Sequence, residues 1–158
     1  MIEIFYKENG QMMLSQSEAD FSIIPYDNVI WIDLFTPSGE EKRAVEAFLG
    51  TTIQNRAQAE EIESSSRFSE TEQAIFANTN FLIPGPDEYN EETVSFILID
   101  KILTTLRETR LKSFTDLQRR LLAFPKTYTS GFIAFLSIVE QRIDLDADMV
   151  ELVSKDIN

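Results

Sequence analysis

Residues 29–50 read VIWIDLFTPSGEEKRAVEAFLG, and this stretch decides what kind of fold the chain can have. Val29–Phe35 is almost unbroken apolar sequence with one acid, Asp33, which is the signature of a strand covered on both faces. Helix chemistry follows at once. Ser38 with Glu41 three residues later is a capping box, and Ala44, Val45, Phe48 and Leu49 form the apolar stripe. Gly50 stands where a helix ends in a left-handed residue. A buried strand feeding a capped amphipathic helix predicts a layered domain in which helices cover a sheet.

Working outward, Ile2–Tyr6 alternates and meets Asn9-Gly10, the strongest short hairpin signal, so Gln11–Leu14 is expected to return as a strand. Asn55–Glu63 reads as a short helix. Ser64–Glu70 and Glu72–Ile83 read as extended strands, the second closed by Pro84-Gly85-Pro86. Thr93–Ile99 and Ile102–Leu106 add two strands around a tight Asp100-Lys101 connection. Ser113 with Asp116 is expected to open another helix, which Pro125 ends. The expectation is an α/β (α+β layered) fold: a mixed, largely antiparallel sheet flanked by helices, with a long C-terminal helix. Residues 1–128 would form the sheet domain, and residues 129–158 the start of that helix.

The last stretch carries apolar residues at Phe132, Leu136, Val139, Ile143, Val150, Val153 and Ile157, interrupted by Asp146. Phe135, Ile138, Leu145, Met149 and Leu152 run beside them. Seven-residue spacing is the seam of a helix that packs along a partner helix, and it is still in register at Asn158. The expectation is a helix cut short, so that the chain is a piece of a longer protein. The competing expectation is a helix laid on its own domain, which is where amphipathic helices usually go.

Composition narrows the chemistry. The chain has 158 residues, twelve of them Phe, and a formal net charge of −13. Such a field repels phosphate backbones, so nucleic acid is not an expected partner. With no Cys and no His, thiol nucleophiles, imidazole bases and the usual zinc, copper and iron ligands are missing. A bound metal would be hard and oxygen-liganded, such as Mg²⁺ or Ca²⁺. Asp144-x-Asp146-x-Asp148 fails as a calcium loop, because Met149 stands where Gly is needed and Lys155 where Glu is needed. The five glycines are too scattered for a phosphate cradle, and clustered carboxylates lack the spacing of a metal-dependent hydrolase. No enzyme activity is expected. Trp31 is expected in the core, and Glu60, Glu61 and Glu63 form an acidic cluster that is a solvated helix end unless another subunit completes it. The longest largely apolar run, residues 131–139, falls far short of the roughly 20 residues that span a bilayer.

Ile30-Trp31-Ile32-Asp33-Leu34, with Thr36-Pro37 and Glu40-Glu41 after it, resembles the opening of the cytoplasmic domain of CorA-type magnesium transporters. Phe48-Leu49-Gly50 and Ala59-Glu60-Glu61-Ile62 are similar to that family's next helix, and Arg67-Phe68-Ser69-Glu70 and Gln73-Ala74-Ile75-Phe76 to its next strands. Phe96-Ile97-Leu98-Ile99 with Leu103-Thr104-Thr105-Leu106-Arg107 resembles its closing strand pair. Residues 138–144 resemble the stretch where its stalk helix assembles. Pro is missing after Arg67, Ser69 replaces a basic residue, and the family's Gly-Met-Asn pore motif is not in this sequence.

The resemblance implies the ion-sensing cytosolic domain of a homopentameric Mg²⁺ or other divalent-cation transporter (Co²⁺ among the substitutes). Its place would be the cytoplasmic face of the inner membrane, joined there through transmembrane helices beyond Asn158. The family's sensing carboxylate maps onto Glu61, with Glu60 beside it, and its partner would come from a neighbouring subunit. The alternative expectation is a stand-alone acidic module that binds a partner through the C-terminal helix.

Overall fold

The computed structural model describes residues 1–53, 68–70, 74–84 and 89–141. The expected helix at Asn55–Glu63, both acids Glu60 and Glu61, and the seam beyond residue 141 lie outside these residues. Among the described residues, seven strands form one sheet. They are β1 (Ile2–Glu8), β2 (Gln11–Ser15), β3 (Val29–Phe35), β4 (Phe68–Glu70), β5 (Ala74–Pro84), β6 (Tyr89–Ile99) and β7 (Ile102–Arg107). Their spatial order is β2-β1-β3-β7-β6-β5-β4. Every pairing is antiparallel except β3 with β7, where Asp33 lies opposite Thr105 and Phe35 opposite Arg107. The mixed, largely antiparallel sheet flanked by helices is therefore what the molecule adopts.

The tight turns follow from residue type. Asn9 and Gly10 both take positive φ, 52° and 78°, which gives the twist that joins β1 to β2. Asp100 does the same at 55° in the β6–β7 connection. Helix α1 (Gly39–Leu49) opens with the expected capping box: the Ser38 hydroxyl accepts from the Glu41 N–H, and the Glu41 carboxylate accepts from the Ser38 N–H. It ends at Gly50, whose φ is 73°. The Glu41 carboxylate also pairs with the Met1 amine at 3.1 Å. Burial pushes the Glu41 carboxyl up, but the Ser38 N–H and the amine outweigh it and hold it below its ordinary value.

Two elements depart from expectation. Helix α2 covers Lys112–Ala123 and is preceded by Leu111, with no side-chain cap; Ser113 lies inside its first turn. Leu111 is buried in the core and its carbonyl accepts from the Phe114 N–H, so packing rather than a hydroxyl starts this helix. Strand β6 begins at Tyr89 instead of Thr93, because Tyr89, Asn90, Glu91 and Glu92 pair with Pro84, Ile83, Leu82 and Phe81 across the hairpin.

The sheet is covered on both faces. On one side, Ile2, Ile4, Ile32, Leu34, Ile97 and Ile102 pack with Val45 and Leu49 of α1. On the other, Phe5, Trp31, Phe96 and Leu103 pack with Phe114, Leu117 and Leu121 of α2. Trp31 is fully buried, stacked on Phe5 at 5.1 Å and edge-on to Phe114 at 5.8 Å. The chain is helical again over residues 131–141 (α3). Ala134 and Ile138 of α3 belong to the same core as Phe114, whereas Phe132 and Leu136 are 54% and 42% exposed. Over residues 131–141 the apolar positions thus separate: Phe135 and Ile138 face the domain, and Phe132 and Leu136 face away.

Candidate functional site

Two of the motifs that carry the family resemblance meet on the central strands, where Asp33 and Arg107, 74 residues apart in the chain, pair. Trp31 and Asp33 project from β3 on the α2 side, as do Thr105 and Arg107 from β7. The Trp31 indole N–H donates to Thr105 Oγ1 at 3.0 Å, and the Thr105 hydroxyl donates to Asp33 Oδ1 at 2.8 Å. Arg107 grips the same carboxylate with two donors, Nε to Oδ1 at 3.1 Å and Nη2 to Oδ2 at 2.8 Å. Its Nη1 donates to the Thr109 carbonyl at 2.8 Å. The guanidinium carbon lies 4.7 Å from the Phe35 ring centre and 4.9 Å from that of Phe114. Asp33 is 1% exposed and Arg107 7%, so this is a desolvated, bidentate ion pair between two aromatic faces.

Two further residues complete the cluster. Glu3 of β1 is the register partner of Asp33. The Gln118 side-chain amide of α2 donates to Glu3 Oε1 at 3.2 Å and, at a longer 3.4 Å, to Asp33 Oδ2. A cavity of about 100 Å³ adjoins the cluster, lined by Glu3, Phe35, Arg107, Arg110, Thr115 and Gln118 together with Met1. Sequence reasoning missed Glu3 and Gln118. In Ile2-Glu3-Ile4 an acid between isoleucines reads as the solvated face of a strand, and only Phe5 on that same face hints at burial.

Chemically, the cluster is a clamp. Both Asp33 oxygens already accept two hydrogen bonds each, which leaves no open position for a metal or a substrate. It joins β1, β3, β7 and α2. A second feature is an open groove of about 800 Å³ along Tyr26, Asp27, Val29, Asp100, Lys101 and Ile102. The Tyr26 hydroxyl donates to Asp100 Oδ2 at 2.6 Å, and burial and this carboxylate push the phenol up to about 12. Among the described residues, no group of three or more acids is placed to hold a metal ion. The expected metal residues Glu60 and Glu61 lie outside the described residues.

Comparison with known proteins gives a consistent result. The family model described as CorA-like Mg²⁺ transporter protein matches residues 26–158. The magnesium transport protein CorA of Wolinella succinogenes is 33% identical over 161 residues, covering 99% of this chain and 50% of that protein. Among solved structures, full-length CmaX superposes with a TM-score of 0.69 at 11% identity, over 99% of this chain and 49% of the other. The soluble domain of CorA from Methanocaldococcus jannaschii gives 0.61 at 16% identity, over 98% of this chain and 64% of the other. At such identities the structural likeness is one of fold. The chain spans about half the length of the curated relatives it matches. Residues 26–158 include both halves of the Asp33–Arg107 clamp, and the chain belongs to the family of CorA-like Mg²⁺ transporter proteins.

Proposed function

We propose that this chain is the cytosolic, ion-sensing domain of a CorA-like transporter of Mg²⁺ or another divalent cation, and that it gates transport through a membrane part outside residues 1–158. The observation that carries the reading is the family match over residues 26–158 in a chain that spans about half of its relatives. It is supported by the described residues, in which no helix is long and apolar enough to cross a membrane. Residues 129–158 would begin the stalk of a homopentamer at the cytoplasmic face of the inner membrane. Helix α3 offers the exposed Phe132 and Leu136 for that packing.

The physical basis of gating would be differential binding. Mg²⁺ held by Glu61 and Glu60 together with oxygens of a neighbouring subunit favours the closed, symmetric ring over looser ones. A chain of net charge −13 repels its own copies, and a divalent cation at the junction relieves that repulsion. Co²⁺ could substitute at such an oxygen site. In the full-length protein, Glu61→Ala is expected to weaken Mg²⁺-dependent protection from limited proteolysis. Protection equal to that of the unaltered protein removes Glu61 from the site.

The exposed Phe132–Leu136 row also fits a second reading, an acidic module that binds a partner helix. Light scattering separates the two. A stable dimer of the chain that ignores Mg²⁺ and is lost in Phe132→Asp favours the module.

A further inference from the structure

We propose that Glu3 and Asp33 form a proton-responsive latch that sets how firmly α2 is held on the sheet. The two carboxylates come from register partners on adjacent strands and point to the same side, with Glu3 9% and Asp33 1% exposed. The groups facing Glu3 are Asp33 from β3, Arg107 from β7, the Gln118 amide from α2 and the Gln16 amide after β2. Arg110 and the Met1 amine stand around the cavity.

The cations do not neutralise both acids. Arg107 spends Nε and Nη2 on Asp33 and Nη1 on the Thr109 carbonyl. The Met1 amine is held by the Phe35 carbonyl and Glu41, and Arg110 is exposed. Among the described residues, Glu3 has no ion-pair partner. Two buried carboxylates therefore share the neutral Gln118 amide, with Gln16 a second amide on Glu3 alone, and Gln118 is the polar tie between α2 and strands β1 and β3. When both are ionised, the pair is a like-charge contact in a poorly solvated place. A proton taken from solvent onto a Glu3 oxygen removes that repulsion and leaves the other oxygen to accept from Gln118.

The electrostatics agree in direction. Burial first, then the charge of Asp33, raises the Glu3 carboxyl above its ordinary 4.5, against the lowering effects of Gln118, Arg107 and Gln16. A carboxyl raised in the folded state binds more protons there than in the unfolded chain over the window from 4.5 up to its folded value. Stability falls as pH rises through that window and stays lower above it. The latch involves this cluster alone and would operate whether or not the chain takes part in transport.

The test is a carboxyl ¹³C titration of Glu3 in the unaltered chain, with hydrogen-exchange protection of α2 amides followed over the same pH range. The expected midpoint lies above 4.5. Protection factors in α2 should fall as pH rises past 4.5, by about tenfold for each unit by which the carboxyl is raised. Glu3→Gln should keep them level. A Glu3 midpoint at or below 4.5 overturns the latch, as does an α2 profile in Glu3→Gln that falls in parallel with the unaltered chain. Should Glu3→Gln fail to fold, the Glu3 titration and the α2 protection of the unaltered chain decide together: α2 protection that does not fall through the Glu3 midpoint overturns the latch.

Discussion

Asp33 and Thr104 show how differently two buried polar residues of one sheet bear on stability. Asp33 is matched by Arg107, Thr105 and Gln118. Replacing it with Ala would leave the guanidinium buried between Phe35 and Phe114 without its counter-charge. Such a break costs about 3–5 kcal/mol, so urea unfolding of Asp33→Ala should show a loss of that order or no folded protein. Thr104 is fully buried and its hydroxyl finds no partner among the described residues. Its register neighbours are Ile32 and Ile97, both in the apolar cluster beneath α1. Thr104→Val keeps the shape and removes an unpaired oxygen, which typically costs about 1–3 kcal/mol to bury. The substitution should leave the urea midpoint unchanged or raise it; a clear fall would mean that the hydroxyl is bonded.

At the scale of elements, Gly131 decides where α3 begins. Its N–H donates to the Lys101 carbonyl at 2.7 Å. A Cβ there would press into the backbone of Leu103, Ile30 and Ile102, closer than atoms approach. Gly131→Ala should therefore cost about 1–3 kcal/mol by forcing the helix off β3 and β7, and differential scanning calorimetry should find a lowered Tm. Elements whose cause is local were legible from sequence. The Asn9-Gly10 hairpin, β3 over Val29–Phe35 and α1 between Ser38 and Gly50 all stand where their residues put them. Elements whose cause is tertiary were not. Tyr89–Glu92 has the polar look of a loop, and only pairing with Phe81–Pro84 makes it strand. Ser113 looked like a cap, but burial of Leu111 moved the start of α2. The clamp was half visible: its β3 and β7 residues sat in two motifs, but nothing local says that they meet. Glu60 and Glu61 were read from sequence and lie outside the described residues.

For the whole molecule, net charge exerts an influence that no single contact reveals. Twenty-seven acids against fourteen bases make the compact state repel itself more than the expanded chain does. Raising ionic strength from about 0.01 M to about 1 M shortens the screening length from about 30 Å to about 3 Å. The chain should then unfold at higher temperature in NaCl, without any need for Mg²⁺. A flat or falling Tm across that range would show that paired charges already balance the field. The same experiment provides the background against which a specific Mg²⁺ effect in the full-length protein must be judged.

The parallel β3–β7 ladder also sets an order of events during synthesis. Strand β3 lies in the first quarter of the chain, but its neighbour on one side is not made until Arg107 has left the ribosome. The helices that cover Trp31 follow later still. Until then β1, β2 and β3 can pair only among themselves, with one edge of β3 open and the indole of Trp31 covered by Phe5 but not by a helix. Loop closure of this length is slow, and an open apolar edge invites pairing with other chains. The nascent chain must pass through an exposed interval that ends when Phe114, Leu117 and Leu121 arrive.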